Sequence, residues 1–63
     1  MFEIMKAKSG PNEGKWMWQL RLASGGRVLA ISEQTFGKRS QVLADIVRIR
    51  ELAPVASTVE VLV

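Results

Sequence analysis

Hydrophobic and polar residues alternate along two segments in the first half of the chain, and this period of two is typical of half-buried β-strands. In residues 1–6 the alternation places Phe2 and Ile4 on one side. The longest alternation covers residues 15–22 and puts Trp16, Trp18, Leu20 and Leu22 on one face and Lys15, Met17, Gln19 and Arg21 on the other. Residues 27–32 predict a third strand, whose phase stays open because four apolar residues follow one another.

Between residues 38 and 53 the apolar period lengthens to three or four residues, which predicts an amphipathic helix. Gly37 is an acceptable N-cap, and Pro54 ends the helix because proline disfavours helical geometry in the residue before it. The apolar stripe consists of Val42, Ile46, Ile49 and Ala53, widened by Leu43 and Val47, and Gln41, Ala44, Asp45 and Arg48 fall opposite.

A last apolar segment, STVEVLV at residues 57–63, predicts a final strand with Val59, Val61 and Val63 on one face. Glycine-rich stretches at residues 8–14 and 23–26 are loops. The order β-β-β-α-β predicts one α+β domain spanning residues 1–63, an antiparallel sheet with one helix packed on one face. The expected core consists of Phe2, Ile4, Trp16, Trp18, Leu20, Val42, Ile46 and Ile49.

The C-terminal strand also predicts the assembly state. An apolar strand left at a sheet edge invites pairing with another chain, and only Glu60 blunts this one. A domain of 63 residues also buries little surface, and disulfides are excluded because the chain has no cysteine. We therefore expect a homodimer with exchanged C-terminal strands, whose interface contains Val59, Val61 and Val63. The alternative is a monomer whose last strand returns to its own sheet beside the first.

The composition argues against several kinds of chemistry. Without cysteine or histidine the chain lacks the commonest metal ligands and the usual acid–base catalyst, and we expect no metal, no cofactor and no enzymatic activity. The carboxylates are isolated from one another in sequence. No apolar run approaches the ~20 residues of a membrane span, and no signal peptide is visible, so the sequence predicts a soluble, cytoplasmic protein without membrane association.

The net charge of the chain is compatible with binding to an anionic partner but does not require one. Nine Lys and Arg against six Asp and Glu give a formal net charge of +3. Lys15 and Arg21 lie on the strand face opposite the tryptophans, and Arg27 joins them across the hairpin. This face is a candidate contact for nucleic acid, although no aromatic residue is assigned to it for base stacking. An ordinary solvated face is the favoured interpretation. Lys38 and Arg39 at the start of the helix are a weaker anion-binding signal.

Four segments together resemble the YegP-like family, small domains of unknown function that occur as single units or tandem pairs. These segments are FEI at residues 2–4, WMWQL at 16–20, GRVLA at 26–30 followed by Ser32, and VLADIVRIRELA at 42–53. The resemblance implies a β3-α-β unit in which two units form one sheet with swapped C-terminal strands. It carries over no catalytic residues. The chain departs from the family at Met5, where an aromatic residue is usual, in a longer first loop around residues 11–14, and in a basic helix start at residues 37–39.

Taken together, the sequence predicts a small homodimeric domain that acts as a non-enzymatic binding or structural module. Weak nucleic-acid binding by the sheet face opposite the helix is the alternative function.

Overall fold

The structure, a computed structural model of the single chain, describes residues 1–23 and 25–62. Its elements are strands β1 (Phe2–Lys6), β2 (Trp16–Arg21) and β3 (Val28–Ile31), helix α1 (Arg39–Leu52) and a short 3-10 helix at Ala53–Val55. The strands form one antiparallel sheet in the order β1-β2-β3. The predicted α+β class, an antiparallel sheet with one helix, is therefore confirmed.

Strands β1 and β2 pair in the register that their alternation predicts. Phe2 faces Leu20, Ile4 faces Trp18 and Lys6 faces Trp16. Opposed residues in an antiparallel pair project to the same side, so the apolar residues of both strands share one face. The turn between β2 and β3 is closed by a hydrogen bond from the Gly26 N–H to the carbonyl of Ala23, 2.8 Å long.

The pairing of β3 with β2 shows the phase of this strand, which its run of apolar residues left open. Gln19 faces Ile31 and Leu20 faces Ala30, but Arg21 faces Val28, so Leu29 is one extra residue on β3, a β-bulge. All four residues of β3 are exposed, because the helix packs on β1 and β2. Leu22 also departs from its prediction. It was expected to continue the tryptophan face, but it follows the end of β2 and is 67% exposed.

The core lies between α1 and the first two strands. Trp18, Val42 and Ile46 are buried, and the half-buried side chains that pack on them are Phe2, Ile4, Trp16, Leu20, Phe36 and Ile49. All eight residues assigned to the core from the sequence lie in this cluster. Phe36 joins them from the connection between β3 and the helix, which shows no periodicity from which burial could be predicted. The rings of Phe2 and Trp18 meet edge to face, with centroids 5.5 Å apart.

The helix begins one residue later than predicted. Lys38, rather than Gly37, is the N-cap, and its backbone N–H donates a hydrogen bond of 3.1 Å to Oε1 of Gln41. At the other end α1 gives way to the 3-10 helix that contains Pro54, as the proline predicts. The stripe is also narrower than expected, since Leu43 and Val47 are exposed.

The C-terminal segment differs most from its prediction. Where the sequence predicts a fourth strand, residues 56–62 form neither helix nor strand in the described part of the chain, and Val63 lies outside the described residues. Val59, Val61 and Leu62 are each at least 70% exposed. Neither the predicted strand nor its return beside β1 is therefore seen here. A strand needs a neighbouring backbone for its hydrogen bonds, and the single chain places none beside this segment.

Candidate functional site

The sheet face away from the helix carries alternate residues of β1 and β2. Met5 and Met17 are paired across the two strands and lie beside the pair formed by Glu3 and Gln19. All four are half-buried, although no helix within residues 1–23 and 25–62 covers this face. We call this surface the open face.

Arg21 and Glu3 form an ion pair at the end of the open face near the β2–β3 turn. Nε of Arg21 donates to Oε1 of Glu3 at 2.8 Å, and Nη1 donates to the carbonyl of Gly26 at 2.6 Å. Gln19 donates a second hydrogen bond, 2.6 Å long, to the same Glu3 oxygen. These bonds link three segments of the sheet and leave the Arg21 side chain 30% exposed.

The two donors also change the acidity of the glutamate. The hydrogen bond from Gln19, followed by the one from Arg21, holds the pKa of Glu3 below its usual range. A carboxylate with a lowered pKa is a weaker base, and its charge is already matched by a guanidinium. Through these contacts Glu3 links β1 to β2 and, by way of Arg21, to the turn that follows β2.

The structure does not bring the three candidate nucleic-acid contacts together. Lys15 is exposed and directly precedes β2, whereas Arg27 lies across from Leu22, beyond the other end of the strand. At ~3.3 Å per residue, this separation is roughly 20 Å. Arg21 is nearer to Arg27, but it is engaged by Glu3 and is not the water-exposed side chain that strand alternation predicted. In place of the expected basic surface, Arg21 is neutralised by Glu3, and Lys15 and Arg27 lie far from each other.

On the covered face, the buried Trp18 has a polar partner that the sequence did not indicate. Its indole N–H donates a hydrogen bond of 2.7 Å to Oδ2 of Asp45. Asp45 was expected on the outer side of the helix, but it is half-buried at the edge of the apolar stripe, with Arg48 3.6 Å away. The bond satisfies the one polar atom of a side chain that is only 8% exposed.

A row of three side chains crosses the sheet at the end where β2 begins. Lys6 pairs with Trp16, and Trp16 forms an isolated bridge with Phe36 through two backbone hydrogen bonds of 2.8 Å. The Lys6 ammonium lies 5.4 Å from the centre of the Trp16 ring, within the range of a cation–π contact. Trp16 and Phe36 are half-buried, while Lys6 is exposed.

Other cations lie close to this row along the backbone. Lys15 adjoins Trp16, and its carbonyl accepts a hydrogen bond of 3.0 Å from the N–H of Ala7, next to Lys8. Helix α1 begins three residues after Phe36, at Arg39, with Lys38 as its N-cap. We call the resulting region the basic end, defined by the exposed cations Lys6, Lys8, Lys15, Lys38 and Arg39.

The described residues show no metal-binding cluster, since nowhere among them do three or more His, Cys, Asp or Glu side chains gather. In the same part of the chain, no helix is both long and apolar enough to cross a membrane.

Comparison with known proteins finds no matching family model, no matching curated protein and no matching solved structure.

Proposed function

We propose that this chain is a non-enzymatic binding or structural module that works as a homodimer, in which the C-terminal segment of each copy adds to the sheet of the other. The observation that carries this proposal is the exposure of the segment. Val59 is 75%, Val61 70% and Leu62 94% exposed. The swapped β3-α-β arrangement implied by the YegP-like resemblance agrees with it.

The sheet offers two places where such a segment can pair. Among the described residues only β2 has a neighbour on both sides, so the outer edges of β1 and β3 present backbone groups without sheet partners. Along β3, Val28, Leu29 and Ile31 are also at least 42% exposed. A strand added at an open edge would satisfy backbone groups and cover apolar side chains together.

The small core supplies a thermodynamic reason for dimerisation. In the described part of the chain only Trp18, Val42 and Ile46 are buried. Full burial of a valine or leucine side chain contributes ~1.5–3 kcal/mol, and folded domains of this size have little stability to spare. Burying Val59 and Val61 against a second copy would therefore add substantially to the stability of the fold.

The non-enzymatic part of the proposal rests on how the half-buried carboxylates are used. Glu3 accepts hydrogen bonds from Gln19 and Arg21, and Asp45 accepts one from Trp18. Glu3 thus links β1 to β2, and Asp45 links the helix to β2.

Sedimentation velocity at micromolar concentration tests the dimer. We expect the intact chain to sediment as a dimer and the double variant V59K/V61K to sediment as a monomer, because two ammonium groups would have to be desolvated at the pairing edge. The matched control is L52K/V55K, which adds the same charge at side chains that are 57% and 77% exposed and lie before the segment. The control should remain dimeric. A stable, folded monomer of the intact chain would refute the proposal.

A further inference from the structure

The charge of this molecule is concentrated at one end of its sheet. The basic end contributes five cations, and the nearby connections contribute the acids Glu13 and Glu33, a balance of +3 that equals the formal net charge of the whole chain. The other four cations, Arg21, Arg27, Arg48 and Arg50, are matched in number by Glu3, Asp45, Glu51 and Glu60. Outside the basic end and these connections the chain is thus neutral. Such one-sided charge is the electrostatic footprint of a surface that meets a polyanion.

Aromatic side chains occur within this charged region. Trp16 and Phe36 are neighbours across the backbone bridge, Lys6 is paired with Trp16 on β1, and α1 begins three residues after Phe36 in the chain. Both rings contribute only partly to the core, in contrast to Trp18. The Lys6 ammonium over Trp16 is an exposed cation–π contact, which is weaker than the stacking of a base on an aromatic ring. A base can therefore displace the ammonium at a net gain.

From this arrangement we infer that the basic end is a binding site for single-stranded nucleic acid, in which Trp16 stacks on a base and the surrounding cations contact the phosphates. The displaced Lys6 ammonium remains close enough to join those phosphate contacts. Lys8 and Lys15 extend the charged track along the first loop, and Lys38 and Arg39 extend it along the start of the helix. This site is distinct from the open face, and it does not depend on dimerisation.

The chemistry of the basic end favours nucleic acid over other anionic partners. Its cations come from three separate segments of the chain, and four of the five are lysines, which bind phosphates as flexible point charges; this spread suits a backbone of spaced phosphates better than one chelated phosphate group. An anionic membrane would require apolar side chains that insert beside the charges. Most of the strongly exposed apolar side chains of the described chain, Leu22 after β2 and those of residues 55–62 after the helix, do not adjoin any of the five cations in the sequence. Unpaired bases are needed to reach an indole, which favours a single strand over a duplex.

A fluorescence titration tests the site. The probe is a fluorescein-labelled oligothymidylate of ~12 nucleotides, within the range that small single-strand sites cover. For three to five phosphates neutralised per chain, we expect a log–log salt slope of about −2 to −3.5 between ~50 and ~200 mM salt. Stacking should also quench the indole emission of the intact protein, because Trp16 is the more exposed of its two tryptophans.

Two charge variants locate the site. K8Q/K15Q/K38Q removes three cations from the basic end, and R27Q/R48Q/R50Q removes the same charge elsewhere. We expect the first triple variant to flatten the salt slope by about 2, at roughly 0.7 per lost contact, and the second to leave binding nearly unchanged. Equal losses in the two variants would overturn the inference, because binding would then depend on the total charge of the chain and not on the basic end. Thermal melts of both variants establish that they are folded.

A third variant separates stacking from simple charge attraction. Trp16→Leu keeps apolar bulk but removes the aromatic face, and it should weaken oligothymidylate binding roughly five- to 150-fold without changing the salt slope. If this variant fails to fold, quenching of the parent's indole emission decides the same point. Parallel titrations use a duplex of equal length and phosphatidylserine vesicles. No binding of the single strand, equal binding of the duplex, or binding of the vesicles alone would each overturn the assignment.

Discussion

The two faces of β2 are built from alternating residues of one short strand, yet different interactions hold them. On the covered face Trp18 is 8% exposed, packs edge to face on Phe2 and donates its indole N–H to Asp45. On the open face Arg21, Gln19 and Glu3 form a hydrogen-bonded network, and the arginine remains 30% exposed. Burial of apolar side chains therefore stabilises the covered face, whereas an ion pair and hydrogen bonds between partly exposed groups stabilise the open face.

The largest effect should come from truncating the centre of the covered face. Trp18→Ala removes a large aromatic side chain from contact with Val42 and Ile46, and we expect a loss of about 3–5 kcal/mol in the free energy of unfolding. Urea melts monitored by circular dichroism measure it. A variant with the stability of the parent would show that the core lies elsewhere.

A smaller loss is expected at the margin of the same face. Trp16 is half-buried and lies at the start of β2, so Trp16→Ala leaves a cavity that water can enter and should cost about 1–3 kcal/mol. The same melts report it beside Trp18→Ala. Equal losses for the two variants would mean that Trp16 is packed as deeply in the core as Trp18.

Asp45→Ala sharpens the comparison by testing the single polar contact of the covered face. The indole N–H of Trp18 would lose its carboxylate acceptor while remaining close to the core, at a cost of about 1–2 kcal/mol. Glu51→Ala removes an exposed carboxylate from the same helix and serves as the matched control, with a change within about 0.5 kcal/mol. Equal effects of the two substitutions would show that the indole bond contributes nothing.

The smallest effect concerns the open face and depends on pH. The folded-state pKa of Glu3 is held low by Gln19 and Arg21, so this glutamate binds protons less readily in the folded than in the unfolded chain. Its contribution to stability is therefore fully present above the pKa of the unfolded state and is lost as the pH falls through the folded pKa. Urea melts of the parent and of Glu3→Gln at neutral and acidic pH should converge in acid. A stability difference independent of pH would contradict this assignment.

Local periodicity predicted much of the fold. The alternation of Trp16, Trp18 and Leu20 predicted which side of β2 is buried, and the helical spacing of Val42, Ile46 and Ile49 predicted the face that packs against it. These predictions succeed because strand and helix geometry relate neighbours in sequence directly to direction in space. Phe36 was missed because a connecting segment has no such period.

The candidate site was far less predictable. Lys15, Arg21 and Arg27 were grouped because they belong to one strand and its hairpin, but chain proximity does not show which charge meets which. The ion pair between Arg21 and Glu3 joins residues 18 positions apart, and the bond between Trp18 and Asp45 joins residues 27 positions apart. Both depend on pairing register and helix placement, as does the gathering of five cations from the two ends of the β1–β2 loop and the helix start.

By itself, the amino-acid sequence determined the three strands of the sheet and the helix, eight of the nine residues of the core cluster and the overall charge, because these follow from residue types and their spacing along the chain. Only the tertiary structure decided that Arg21 is neutralised, that Asp45 turns toward the indole, and that the excess positive charge lies beside Trp16 and Phe36. It also left residues 56–62 outside the sheet. The physical reason is common to all of them: each depends on which segments distant in sequence come into contact, and hydrogen bonds and ion pairs form only between groups a few ångströms apart.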